Sequence, residues 1–203
     1  VGRHLLTALL KAGHQVTAVV RRVGVVDQHP SIREIVMGDL GPDSDWREAL
    51  QGVDVIMHTA ARTHTIREKH VDPESAYRRI NVEATTALAE QAVANGISRF
   101  ILLSSVKAGG EESVDRVPLK IGMLPQPEDA YGRTKLAAEQ ILFKLCEETE
   151  MEVIILRPPL IYGPGIKGNL LSLFRAVDKG LPLPLRGIDN RRDLLYVGNL
   201  VAA

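Results

Sequence analysis

The stretch "FILLSS", residues 100–105, is a run of large apolar residues that ends in two serines. An unalternated apolar run of this length fits a strand buried on both faces, as in a parallel sheet covered by helices. Four other segments share its character: "QVTAVV" (15–20), "EIVMG" (34–38), "DVIMHTA" (54–60) and "VIILRP" (153–158). Helical patterns lie between them at 3–12, 45–51, 75–95 and 130–149. Strands alternating with helices through short links build right-handed βαβ units. The expected fold class is therefore α/β, with a doubly wound Rossmann-type parallel sheet.

The helix at 75–95 carries Ala76, Ile80, Ala84, Ala87, Leu88 and Ala92 on one face and ends at "ANG", where Gly96 suits a left-handed cap. The helix at 130–149 raises a question of chemistry. In "DAYGRTKLAAEQIL" (129–142), Ala138, Ile141, Leu142 and, just beyond, Leu145 recur at core-facing spacing. The same stripe, continued backward, passes through Lys135 and Tyr131. A lysine turned inward loses its hydration at a cost of several kcal/mol unless something compensates.

After about residue 157 the chain becomes rich in proline and glycine, in "RPPLIYGPGIKGN" and "GLPLPLRGIDN", with the helical "LLSLFRAVDKG" between them. Loop-rich structure around a binding site is expected there. The organisation read from the sequence is a dinucleotide-binding domain over 1–157 and the beginning of a substrate-binding region over 158–203. A second long irregular segment, 108–129, reads as a lid, with a disordered linker the alternative. The chain starts at Val1 inside a helix onset and stops at Ala203 just after a new helix begins. The expectation is that the first strand of the sheet and a carboxyl-terminal part lie outside it.

Composition narrows the classes. Of 203 residues, 45% are hydrophobic, and 25 Lys plus Arg balance 25 Asp plus Glu. That balance produces no field that would draw nucleic acid or an anionic membrane. A lone Cys146 rules out an internal disulfide framework and suits a reducing cytoplasm. No apolar run approaches the length of a membrane span. His58, His64 and His70 lack helical i, i+4 pairing and a completing Cys or carboxylate cluster, so no metal site is expected. Trp46 in "DSDWREAL" reads as a partly buried helix anchor behind an Asp45 or Ser44 cap.

The amino end, "VGRHLLTALLKAGHQVTAVVRR", resembles the tail of a dinucleotide-binding βαβ unit. Gly2 stands where the last fingerprint glycine opens the helix toward a pyrophosphate. About twenty residues on, where an acid would hold the ribose of NAD, stand Arg21 and Arg22. Guanidinium groups there suit a 2′-phosphate, so NADP is expected, with NAD the alternative. In a doubly wound sheet, ligands sit beyond the carboxyl ends of the strands. The serines closing "FILLSS", a tyrosine one loop later and a lysine one turn beyond can converge there. A tyrosine with an ordinary pKa near 10 shuttles protons poorly at neutral pH, and a neighbouring ammonium stabilises its anion.

On these pieces the chain resembles an extended short-chain dehydrogenase/reductase of the NAD-dependent epimerase/dehydratase family, along essentially all of its length. The matching motifs are Gly2, "GDL" (38–40), "DVIMHTAA" (54–61), "NVEAT" (81–85), "FILLSS", "YGRTK" (131–135), "RPPLIYGPG" (157–165), "NLL" (169–171) and "RRDLLYVGNL" (191–200). The resemblance implies that Ser105, Tyr131 and Lys135 form the catalytic triad, with Lys135 also on the nicotinamide ribose. It places Asp39 and Leu40 by the adenine, and Thr59, Ala60 and Ala61 along the cofactor. Asn81 would be a cofactor-side polar residue, and Pro159 would approach the nicotinamide. It further implies that Asn169 contacts the substrate diphosphate, that Arg192 clamps it, and that Leu183–Leu185 flank the nucleotide base. Two positions depart from the family pattern: Leu160 replaces a frequent asparagine, and Gly109–Gly110 replaces an aromatic–glycine pair.

The carboxyl half looks most like bacterial UDP-4-keto-6-deoxy-N-acetylhexosamine C4-reductases of O-antigen synthesis. The expectation is hydride transfer at C4 of a UDP-linked sugar by a cytoplasmic homodimer, with a UDP-glucose 4-epimerase-type reaction as the alternative. A ketone reductase of small apolar molecules and a non-catalytic nucleotide-binding module are the remaining rivals.

Overall fold

The computed structural model describes residues 1–63, 72–110, 118–166, 168–183, 187 and 190–203. His64 and His70 lie outside them, as do Leu185 and part of the expected lid. The chain forms two compact units, Val1–Pro158 and Pro159–Ala203.

In the first unit the order is α1 (Gly2–Lys11), β1 (Val16–Val20), β2 (Ile32–Val36), β3 (Val55–His58), α2 (Pro73–Arg78), α3 (Ala84–Ala94), β4 (Arg99–Leu103), α4 (Ala130–Glu148) and β5 (Glu152–Leu156). All pairings are parallel, and β1 pairs with β2 while β3, β4 and β5 form a second sheet in that order. In a doubly wound order one strand position separates β1 from β3. The two sheets share one core, in which Val19 and Ile35 pack against a cluster built on Trp46, Leu88, Phe100, Leu102, Ala138 and Leu142.

The registers explain which face is buried. Ile56, Phe100 and Val153 align across the three-stranded sheet, as do His58, Leu102 and Ile155, and these rows belong to or contact the core. The alternate row Met57, Ile101 and Ile154 faces the other way, with Met57 39% and Ile154 41% exposed. Burial on both faces, expected from the unalternated runs, is thus only partly realised.

The helical stripe at 75–95 is realised with an interruption. A π turn over Arg79–Glu83 joins α2 to α3, and the Ala84 N–H reaches back five residues to the Arg79 carbonyl. Ala84, Leu88, Ala89 and Ala92 are nevertheless buried, and Gly96 takes φ 72 beyond the helix end. The expected helix at 45–51 is a correction, because that segment forms turns. Gln91 holds the segment from α3: its side chain accepts from the Trp46 N–H at 2.8 Å and donates to the Ser44 carbonyl at 3.0 Å. Trp46 is then sealed in the core, at 3% exposure, without a helix to carry it.

The second unit contains β6 (Leu160–Tyr162), α5 (Asn169–Asp178), β7 (Leu194–Tyr196) and α6 (Val197–Ala202). The strands β6 and β7 pair in parallel, with the Tyr162 and Tyr196 rings 5.6 Å apart. The sequence reading has loops where this strand pair stands. No helix among the described residues is long and apolar enough to cross a membrane.

One core residue carries a pH dependence. His58 is buried at the end of β3, with its Nε2 3.0 Å from Thr85 Oγ1. Burial, followed by the Lys135 charge, pushes its imidazole down to about 3. The fold therefore holds neutral histidine, while the unfolded chain takes up a proton below about pH 6.5. Stability from this group is full above that pH and drains away as pH falls toward 3. The His58→Gln variant is expected to lose stability less steeply than wild type between pH 6.5 and 4.5, by about 1.4 kcal/mol per pH unit in denaturant titrations. Parallel slopes for the two proteins would contradict it.

Candidate active site

The site is built where β3, β4 and β5 end together. Beyond β3 come Thr59, Ala60 and Ala61, beyond β4 come Ser104 and Ser105, and beyond β5 comes Arg157. The Ser104 N–H donates to the Leu156 carbonyl at 2.7 Å, and the Val106 N–H to the Pro158 carbonyl at 3.1 Å. These bonds hold the serine turn beside the end of β5. Ser105 then caps a short 3₁₀ turn, Val106–Ala108, its Oγ accepting from the Lys107 N–H at 3.3 Å.

Helix α4 brings the tyrosine to the serine. Asp129 caps it, accepting from the Gly132 N–H at 2.6 Å, and also pairs with Lys107 Nζ at 2.7 Å. The Ser105 turn and the first turn of α4 are thereby clasped together. Close approach demands glycine at 132, since a Cβ there would stand 2.5 Å from the Lys107 carbonyl oxygen. Within this clasp the Ser105 side chain acts on the Tyr131 phenol, and the Tyr77 ring stands edge-on 6.4 Å away.

Lys135 follows one turn later and is 1% exposed. Among the described residues its ammonium has no hydrogen-bond or ion-pair partner. Burial lowers it to about 8, against an upward pull from Glu139. The sequence reading has Lys135 bring the Tyr131 phenol down, and here a correction is needed. The phenol lies above its ordinary value, raised first by burial and also by Asp129, while the Ser105 hydrogen bond and the Lys107 charge pull it down. The cation acting on the phenol is Lys107, across the clasp.

The expected cofactor residues are distributed along the same strand ends. Gly2 opens α1, and a Cβ on it would stand 3.2 Å from Thr59 Oγ1, so the helix start lies against the end of β3. Ala60 is exposed and Ala61 half-buried. Arg21, past β1, pairs with Asp39, past β2, at 3.4 Å on the surface, and Arg22 is exposed beside it. Leu40 is half-buried and packs against the core. An open recess lined by Met37, Asp39, Gly41, Ser44 and Arg79 adjoins these residues.

Asn81, in the π turn, is 1% exposed and committed to protein partners. It accepts from the Arg62 N–H at 2.8 Å and donates to the Arg62 carbonyl and to Thr134 Oγ1, both at 3.1 Å. It joins the segment after β3 to α4, which is a positioning task.

In the second unit, Pro159 is half-buried, Asn169 is the exposed first residue of α5, and Arg192 is exposed before β7. Leu185 lies outside the described residues. Residues absent from the sequence reading of the site are His58, the Asp129 partner of Lys107, Glu139 and Arg157. Glu139 was legible, because it stands four residues after Lys135 on the same stripe. Among the described residues, no group of three His, Cys, Asp or Glu side chains could hold a metal ion.

A serine, a tyrosine and a buried lysine gathered at the carboxyl ends of a Rossmann-type parallel sheet define the extended short-chain dehydrogenase/reductase class. The chain belongs to the NAD dependent epimerase/dehydratase family, whose model matches residues 1–203. It is 39% identical over 203 residues to a UDP-glucose 4-epimerase of Vibrio cholerae, covering 99% of this chain and 61% of that protein. It is also 31% identical over 206 residues to a 3-beta-hydroxysteroid dehydrogenase of Mycolicibacterium neoaurum, covering 99% of this chain and 56% of that one. Among solved structures, MoeE5 in complex with UDP-glucuronic acid and NAD matches with a TM-score of 0.80 and 32% identity, over 99% of this chain and 66% of that one. The chain thus spans about three-fifths of the curated relatives it matches.

The geometry at Gly132 is directly testable. The obstructing atoms are backbone, so Gly132→Ala must push the Ser105 turn away from α4. A loss of about 1–3 kcal/mol is expected by urea unfolding, the range for overpacking. Arg133→Ala, which removes an exposed pair with Glu74 and an exposed hydrogen bond to the Glu128 carbonyl, is expected to cost less than about 1 kcal/mol. Equal stability of Gly132→Ala and wild type would refute the close approach.

Proposed function

We propose that the protein carries out hydride transfer at C4 of a UDP-linked hexose, in the manner of a nucleotide-sugar 4-epimerase. The observation that carries this reading is the contact of the Tyr131 phenol with Ser105, one helical turn from a buried ammonium at the strand ends. The relatives supply the substrate class: one is a UDP-glucose 4-epimerase, and MoeE5 binds UDP-glucuronic acid and NAD.

The residues present fit a nicotinamide dinucleotide. Gly2 leaves the start of α1 bare where it meets Thr59, as a backbone approach to a pyrophosphate needs. Lys135 offers three donors with no protein acceptor among the described residues, which suits ribose hydroxyls. Arg21 shares its charge with Asp39, and Arg22 stands open to a 2′-phosphate, so the site accommodates NADP as well as NAD. When bound, the nicotinamide supplies the acceptor and donor of hydride. The chain's own residues handle the proton and the alignment. Ser105 donates to the C4 oxygen and orients it. Tyr131 exchanges the proton of that oxygen. The Lys107 charge, across the clasp, favours the anionic phenol at the moment the proton leaves.

A second reading, a C4 ketone reductase, is favoured by two observations. Burial keeps the phenol protonated, the form that delivers a proton to a ketone, and the paired arginines suit NADPH. The similarity to a 3-beta-hydroxysteroid dehydrogenase marks a further branch with the same proton chemistry, against which the polar Asn169 and Arg192 weigh.

The Tyr131→Phe variant removes the exchanged proton and leaves the ring. It is expected to lower kcat on UDP-hexoses by about 10²–10⁴-fold with little change in KM. Turnover without net consumption of nicotinamide identifies the epimerase, and one NADPH oxidised per turnover identifies the reductase. Near-normal turnover by Tyr131→Phe would overturn the assignment.

A further inference from the structure

Beneath the reacting groups lies a second polar cluster, at the same strand ends. Glu139 is 1% exposed. Its carboxylate accepts from Ser104 Oγ and from Arg157, whose Nε stands 3.0 and 3.1 Å from the two oxygens and whose terminal nitrogen makes a further close contact. Every partner is a donor, so the group is an acceptor on all sides, as an ionised carboxylate is. These bonds reach three elements: Ser104 closes β4 immediately before Ser105, Arg157 follows β5, and Glu139 itself lies on α4.

Lys135 lies four residues before Glu139 on the same buried face of α4, as dry as the carboxylate. The groups facing it come from two directions. From β3 comes His58, held neutral by burial and bonded to Thr85. From α4 itself comes Glu139, the one anion acting on Lys135 among the described residues. Arg157 is 35% exposed along its side chain and shares its charge with water. The ammonium of Lys135 has no such outlet.

We propose that Glu139 is a positioning residue of the reacting constellation: one buried carboxylate seats the ends of β4 and β5 on α4 and serves as the counter-charge of Lys135. The proposal rests on the reading of Ser105, Tyr131 and Lys135 as that constellation. It joins two tasks in one group. The hydrogen bond from Ser104 holds the serine turn at its height over the helix. The negative charge offsets the desolvation of Lys135 and keeps its ammonium available to a ribose. A glutamine would preserve the shape and remove the charge.

The test follows the ionisation of Lys135 by NMR of the full chain labelled with ¹³Cε-lysine, with Lys135→Met assigning the resonance. In wild type the signal is expected to titrate near pH 8. In Glu139→Gln the midpoint is expected to fall by about one pH unit or more, because desolvation then acts unopposed. A merely structural role gives the opposite sign, since a loosened helix admits water and returns Lys135 toward the ordinary lysine value. An unchanged or raised midpoint in a folded variant overturns the proposal. Should Glu139→Gln fail to fold, Glu139→Asp, which keeps the carboxylate but draws it back by one methylene, is read in the same way: a lowered Lys135 midpoint supports the proposal, and an unchanged or raised one overturns it. Neither measurement needs cofactor or sugar, so failure of the UDP-hexose reading shows separately, as absence of turnover by wild type.

Discussion

Two opposite charges kept dry on the inner face of one helix set the terms for the rest of this molecule. Lys135 and Glu139 are each 1% exposed on α4, and neither could remain there alone, because an uncompensated buried charge costs several kcal/mol. Glu139 is satisfied by Ser104 and Arg157, and Lys135 stands one turn before that carboxylate on the same face. The helix can sit at only one height and rotation over the sheet if these partners are to meet. That requirement fixes where the next turn back, with Tyr131, must lie.

From there the geometry runs outward. The first turn of α4 has to approach the Ser105 turn closely enough for the phenol and hydroxyl to touch, and the missing side chain at Gly132 permits it. The Lys107–Asp129 pair closes the joint from outside and caps the helix with the same carboxylate. On the far side, Asn81 bridges the chain after β3 to Thr134, and the π turn that carries it interrupts an otherwise regular helix. Single-turn π bulges recur at functional sites, and here the irregularity presents an amide between two elements that must be joined. The competing effects on Tyr131 have a definite order: burial raises the phenol more than its neighbours lower it. A bound cationic nicotinamide would add to the lowering side.

Much of this was legible in the sequence because it follows from periodicity. The apolar runs located all five strands of the first unit to within a few residues, and the stripe through Ala138 and Leu142 led back to Lys135 and Tyr131. What escaped depended on contacts between residues distant in the chain. Where a helix was expected at 45–51 the chain forms turns, tied to Gln91 far along the sequence. The pairing of β6 with β7 joins two three-residue strands more than thirty positions apart, too short to show any period. The charges acting on the phenol were misjudged for the same reason. Spacing along a helix pointed to Lys135, whereas the fold brings Lys107 across from a turn. Glu139 alone was within reach of the sequence, since the i, i+4 rule that linked Tyr131 to Lys135 extends one step further to it.

The most direct measurement is a crystal structure of the protein with NAD and a UDP-hexose bound. The account predicts the C4 oxygen of the sugar within hydrogen-bond distance of both Tyr131 Oη and Ser105 Oγ, with the nicotinamide ribose on Lys135 Nζ. A sugar held away from the phenol, or a Lys135 side chain turned from the ribose toward other protein groups, would contradict it.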